Sequence, residues 1–360
     1  MTKLAGAITM AIVDAYGPEE MLSRLADPWW FQAFGCVLGF DWHSSGVTTV
    51  TCGALKEAYK EHGKDLGIIV TGGKGATSRQ TPQELATAAD NFGISEGERL
   101  IYASRMSAKV DSAAVQDGFG IYHHSFFLTP AGSWCVVQQG MNETDQTARR
   151  YHWHGANVRD FVCEPHSGVQ NVEQPSRKSR HKASQPLLLN MVAAEADANR
   201  ISSAALVREH PDWLMREVER LTSGPTLFAP THHRVLDLNV NRQRLRQIVV
   251  AAHELHPQNF ETLLGHPGVG PATIRSLSLI AEIIFDAPAS HRDPLTPPDP
   301  LRKREWADYS FAHGGKDGTP FPVDTATYDR NITVLQQAID QSRLGDTDKL
   351  EALKRLRSVN

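Results

Sequence analysis

The sequence predicts an α+β protein, a mixed α/β part with a small sheet followed by a mainly helical part. Three observations carry this reading. Apolar residues recur at helical spacing at the start (Leu4, Ile8, Ile12) and again through Asn190–Arg200, Ile201–Thr222 and Leu236–His256. Ile121–Leu128 and Trp134–Gln139 alternate as strands around Thr129-Pro130-Ala131-Gly132. Residues 259–286, NFETLLGHPGVGPATIRSLSLIAEIIFD, give two apolar helical faces joined by a glycine turn. The expected division is a mixed domain over residues 1–169, a basic loop or linker over 170–186, and a helical domain over 187–360.

In chain order, Pro18 with Glu19 and Glu20 opens a second helix that runs through Leu25. Trp29, Trp30 and Phe31 are expected in the core, a helix over Ala54–His62 and a strand over Leu66–Val70. Thr71-Gly72-Gly73-Lys74-Gly75 follows, with Arg79 close behind; a glycine turn carrying two cations suits an anion, or is a plain loop. Its spacing is not that of a P-loop. Thr81 and Glu84 have the spacing of a helix capping box. A tight turn between the two central strands would set His123 opposite Gln138, with Ser125 on the same face. His124 would then share the other face with Phe126. Ser167–Gln185 is poor in apolar residues and reads as a mobile linker or an exposed basic loop. After a proline-rich loop over Ala287–Pro300, a helix through Ile332, Leu335 and Ile339 and a charged tail helix end the chain.

In the 259–286 stretch, Phe260, Leu263 and Leu264 form one helical face, and Ile274, Leu277, Ala281 and Ile284 form the next. Pro271 suits a first helical position, where no N–H is needed. Main-chain donors at that helix start favour an anion. The segment resembles a helix-hairpin-helix, which implies that Gly268, Val269, Gly270 and Thr273 hold a nucleic-acid phosphate without reading bases. Many such hairpins carry Lys or Arg just after the second glycine, where Pro271 and Ala272 stand here. Charge is therefore expected from Arg275, from Arg242 and Arg246 on the preceding helix, and from Lys74 and Arg79.

Composition sets limits. A chain of 360 residues with 41% hydrophobic and 22% charged residues is ordinary for a globular protein. A net charge of −4 speaks against a protein that coats DNA uniformly, so nucleic acid must be met by a local patch. Cys36, Cys52, Cys135 and Cys163 form no CxxC pair or zinc pattern, which fits reduced thiols. The opening LAGAITMAIV is too short to span a membrane and lacks a cleavage pattern, so the cytoplasm is the expected location.

The densest polar block lies between Lys109 and His166. Phosphodiester cleavage with a metal needs carboxylates or imidazoles converging on the cation and positive groups on the phosphate. Lys109, Asp111, Asp117, His123 and Arg150 are the catalytic candidates, and Asp41, His43, Glu164 and His166 the candidate ligands of a divalent ion such as Mg²⁺ or Mn²⁺. Arg149 is a further phosphate-neutralising group. The spacing matches neither HExxH nor the acidic-x-Lys strand of restriction-type nucleases.

GFDWHSSGVTT, SAKVDSAAVQDGF, VVQQGMN with ARRYHW, PGVGPATIRSL and YSFAHGGKDG together resemble one bacterial and archaeal family, catalogued as domain of unknown function seven-six-three. The similarity runs through nearly the whole chain. It implies a further short segment before the point that corresponds to Met1, and no activity.

The expected function is backbone-directed binding of double-stranded or branched DNA, serving a metal-assisted nuclease or a related DNA-processing or repair step. A second reading is a base-excision glycosylase, which such enzymes suggest by pairing a hairpin with an aspartate in the setting Pro322-Val323-Asp324-Thr325. The Lys that some of them use would fall near Ala272, and Asp324 equally suits a helix N-cap. A third is a non-enzymatic nucleic-acid-binding adaptor.

Overall fold

A computed structural model describes residues 1–40, 46–144, 146–172, 188–222, 242–296, 325–342 and 344–357. One antiparallel five-stranded sheet sits between two helical layers. Its strands are β1 (Ile69–Lys74), β3 (Gly120–Leu128), β4 (Trp134–Asn142), β5 (Thr147–His154) and β6 (Gly168–Asn171), paired in that order. A short pair, β2 (Val115–Gln116) with β7 (Leu189–Asn190), lies apart from it.

One layer holds α1 (Thr2–Tyr16), α2 (Pro18–Leu25), α3 (Pro28–Val37), α4 (Gly46–Leu66), α12 (Thr325–Gln341) and α13 (Asp346–Arg357). Ile8, Ile12, Leu22, Trp30, Phe31, Leu55, Leu335 and Leu356 meet there under Phe127, Cys135 and Val137 of the sheet. Asp27 starts α3 by accepting the amides of Trp29 (2.8 Å) and Trp30 (3.3 Å), with Pro28 at the first turn.

The other layer holds α5 (Thr81–Phe92), α6 (Gly97–Lys109), α7 (Asp197–Leu206), α8 (Pro211–Thr222), α9 (Arg242–Leu255), α10 (Phe260–Gly265) and α11 (Pro271–Phe285). Their apolar faces close over Phe126, Leu128, Trp134, Val136 and Trp153 on the opposite side of the sheet. No helix among the described residues is long and apolar enough to cross a membrane.

α12 and α13 join the first four helices in one layer, and described residues from Leu85 to Ala281 contribute to the core on the other side of the sheet. β6 runs across position 169, where the first domain was expected to end; residues 173–186 of the expected linker lie outside the described set. α4 starts at Gly46 rather than Ala54, because burial of Val47 and Cys52 outweighs the weak helix propensity of its β-branched start. A helix was expected from Asn190, but Leu189–Asn190 pairs as β7 and α7 begins at Asp197. Thr147–His154, read only as a polar cluster, is a strand whose first seven residues are buried.

Glu84 does not close a capping box. It accepts the amide of Gly72 at 2.7 Å and the ammonium of Lys56 at 2.8 Å, tying α5 to the end of β1. Gly72 has φ +80°, and a Cβ there would lie 2.3 Å from the carbonyl oxygen of His124 and 2.6 Å from Thr81 Oγ1. Gly72→Ala is therefore expected to lower stability by about 3 kcal/mol or more, from strain and overlap with main chain together, as read by urea unfolding. A loss below about 1 kcal/mol would show that β1 can move away.

Candidate functional site

The helix α6 does not stop at Lys109 but widens into a single π turn over Val110–Ala114. Such a turn carries one extra residue per hydrogen-bonded loop and often marks a site. Here it turns Asp111 onto the sheet. Asp111 is fully buried and accepts three hydrogen bonds, from Gln138 Nε2 (2.6 Å), Trp153 Nε1 (2.9 Å) and His166 Nε2 (2.5 Å).

The chain of bonds runs on inward. Gln138 uses its amino group on Asp111, so its oxygen faces His124 Nδ1 at 2.8 Å and must accept. His124 Nε2 then takes the hydroxyl proton of Ser104 at 2.9 Å. Burial pushes the His124 pKa down to about 4, which keeps the ring neutral and fixes this tautomer. At the outer end, His166 packs edge-on against Trp153, 4.8 Å between ring centres, and its side chain is 9% exposed. Among the described residues no protein group meets its Nδ1. An imidazole set by a buried carboxylate through one nitrogen and open at the other has the geometry of a general base with its orienting group.

The other carboxylate of this block has a different setting. Asp117 accepts from Arg149 (2.8 Å), from the Tyr151 hydroxyl (2.7 Å) and from the Phe119 amide (3.2 Å). Burial pushes its pKa up, against the pull of Arg149. Arg149 also forks onto Asp293 with two 3.1 Å bonds, meets Asn171 at 2.9 Å and lies over the Phe119 ring. Arg149 is thus a clamp between distant segments, and it was expected to face a phosphate.

On the opposite face, cross-strand pairing lines up Lys74, His123, Gln139, Arg150 and Gln170 in one row. His123 lies opposite Gln139 rather than Gln138, because the connection takes five residues and Leu128 pairs with Trp134. His123 and Arg150 were expected in the catalytic set, yet they are 1% and 0% exposed. Burial lowers the His123 pKa to about 3, helped by His124 and Lys74. Arg150 donates to His152 Nε2 (2.8 Å), the Pro28 carbonyl (3.1 Å) and Gln170 Oε1 (2.8 Å) and stacks on Phe31. Among the described residues no carboxylate pairs with it, and desolvation pulls its pKa down to about 9.

Of the expected metal quartet, only Glu164 and His166 lie among the described residues. Glu164, in a left-handed conformation at φ +44°, accepts from the Ala194 amide and from Arg292. His166 goes to Asp111, and Asp41 and His43 lie outside the described residues. No three His, Cys, Asp or Glu side chains converge as metal ligands among the described residues. The four cysteines are unpaired.

The turn between α10 and α11 is formed as its residues suggest. Gly268 has φ +89° and Gly270 caps α11 in an extended conformation. The Val269 amide bonds back to the His266 carbonyl at 3.2 Å, and Ile274 to Gly270 at 3.0 Å. Among the described residues no protein acceptor meets the amides of Gly268, Gly270, Ala272 or Thr273. Thr273 and Val269, both expected to hold phosphate, have 3% and 1% exposure, so their side chains pack inward.

Lys109, expected in catalysis, instead reaches this turn. Its ammonium donates to the carbonyls of Val269 and of His266, the latter at 3.2 Å. Gln116 Nε2 holds the Pro271 carbonyl at 2.9 Å, and Arg275 Nε holds Gln116 Oε1 at 2.9 Å. Arg246 pairs with Asp212 at 2.6 Å, the Arg242 side chain lies outside the described set, and Lys74 and Arg79 are exposed at the end of β1.

The sequence reading missed Gln138 and Trp153 as partners of Asp111. A glutamine pair inside the apolar run Val136–Val137 was the available signal. Asp293 offered none. No curated protein and no solved structure matches the chain. The model of the family described as "Protein of unknown function (DUF763)" matches residues 1–323, and the chain belongs to that family.

Proposed function

We propose that this protein binds nucleic acid by its sugar–phosphate backbone at the Pro267–Gly270 turn, in a DNA-processing role. The observation that carries the reading is the set of four main-chain donors without protein acceptors at the turn and the start of α11. Bare amides beside glycine admit a phosphate closely and carry no base preference. The Asp111–His166 pair supports a hydrolytic step. In it, His166 Nδ1 takes a proton from water as the water oxygen bonds to phosphorus. The ester P–O bond breaks, and the leaving oxygen takes a proton from solvent. The glycosylase alternative rests on Asp324, outside the described residues.

Ala272 is exposed at the second helical position, so Ala272→Glu leaves the core untouched and suits a helix start. It also puts a carboxylate where a phosphate would sit. The expected outcome is a loss of about tenfold or more in affinity for labelled duplex DNA, with melting temperature unchanged or slightly raised. Labelled duplex, branched and single-stranded DNA and RNA, each tested with Mg²⁺, Mn²⁺ or chelator, give both binding and cutting. If no form is retained by the wild type, or Ala272→Glu binds as tightly, the turn is not the contact.

A further inference from the structure

The turn's own sequence lacks the cation such hairpins often carry, and the structure brings one to it from behind. Lys109 lies 157 and 160 residues from the two carbonyls it holds, His266 and Val269. It is half-buried, and among the described residues no carboxylate pairs with it. In a trans peptide the C=O and N–H point in opposite directions. The unit that gives Val269 its carbonyl gives Gly270 its amide, and none of the peptide bonds here is cis. Drawing the Val269 oxygen toward Lys109 therefore aims the Gly270 amide away from the protein.

Gln116 repeats the device two peptides on. Its Nε2 holds the Pro271 carbonyl, which turns the Ala272 amide outward, and Arg275 fixes the orientation of the Gln116 side chain. Two of the four donors without acceptors thus share a peptide unit with a carbonyl held by a side chain of α6 or β2.

We infer that Lys109 and Gln116 are positioning residues for a phosphate at the turn, and that Lys109 also supplies the positive charge behind it. The inference rests on the nucleic-acid reading of the turn. Lys109 and Gln116 act by different means, which separates them in solution. Lys109→Met keeps the packing of the stem but removes both the carbonyl clamp and the charge. Gln116→Leu removes a clamp alone.

The experiment is binding of a labelled DNA duplex to the full chain across a salt series. Lys109→Met is expected to weaken binding about tenfold at low salt, with the gap to wild type narrowing as salt screens the charge. Lys109→Arg is expected to restore most of the loss. Gln116→Leu is expected to weaken binding several-fold, by a factor that stays constant with salt. A wild type that binds while Lys109→Met and Gln116→Leu bind equally well at every salt concentration overturns this inference and leaves the proposed function standing. A wild type that does not bind overturns both. If Lys109→Met fails to fold, Gln116→Leu decides: unchanged affinity rejects the positioning role, and the several-fold loss supports it.

Discussion

Acidification from pH 7 to pH 5 is expected to remove about 4 kcal/mol of folding stability or more, a large share of what a typical domain has. The cause is three histidines kept neutral inside the sheet layers. Burial holds His123 at about 3 and His124 at about 4, and drives His152 well below the ordinary value, with Arg150 adding to the effect. In the unfolded chain each would titrate near 6.5. Between these values the unfolded state binds more protons, so stability falls as pH falls. At pH 5 His123 and His124 each contribute about 2 kcal/mol of that loss, and His152 adds to it in the same direction. Above pH 7 the contribution is zero. Asp117 acts in the opposite sense, since its pKa is raised and its protonation favours the folded state, which trims the total. Urea unfolding at half-unit pH steps reads the slope directly. A free energy flat from pH 7 to pH 5 would mean that these rings reach water or protonate in place.

The second large effect is expected at Asp111. Its carboxylate accepts from Gln138, Trp153 and His166, all around one buried point. Asp111→Ala leaves those donors without an acceptor and opens a small cavity. The expected cost is about 3–5 kcal/mol, the range seen when one member of a buried charged network is removed. Adding Gln138→Leu to Asp111→Ala should not recover the loss, because it also takes from His124 Nδ1 its acceptor, so the two costs are coupled rather than cancelled. Should Asp111→Ala alone cost less than about 1 kcal/mol, water must reach the site and replace the carboxylate. That would also weaken the case for an oriented His166.

Several features were legible without a fold. Leu4, Ile8 and Ile12 mark α1, Pro18 with its two glutamates marks α2, and the strand alternation marks β3 and β4. These signals come from residues within about one turn or one strand of each other, so they survive in any tertiary setting. The register of β3 on β4 was off by one, because it depends on how many residues the connection uses. The polar block was found as a set, but its wiring was not. His166 belongs with Asp111, 55 positions upstream, and Glu164 with Arg292, 128 positions downstream.

By itself, the sequence determined α1, α2, β3, β4, the turn between α10 and α11 and the family. Each is written in local spacing, in glycine and proline conformations, or in long shared motifs. Tertiary structure alone decided that Arg150 and His123 would be sealed inside, that Lys109 would serve the turn, and that Asp111 would hold His166. The reason is that a charged side chain's role depends on what surrounds it after burial. In this chain, the partners of Asp111, Arg150, Arg149 and Lys109 lie 55, 122, 144 and 160 residues away.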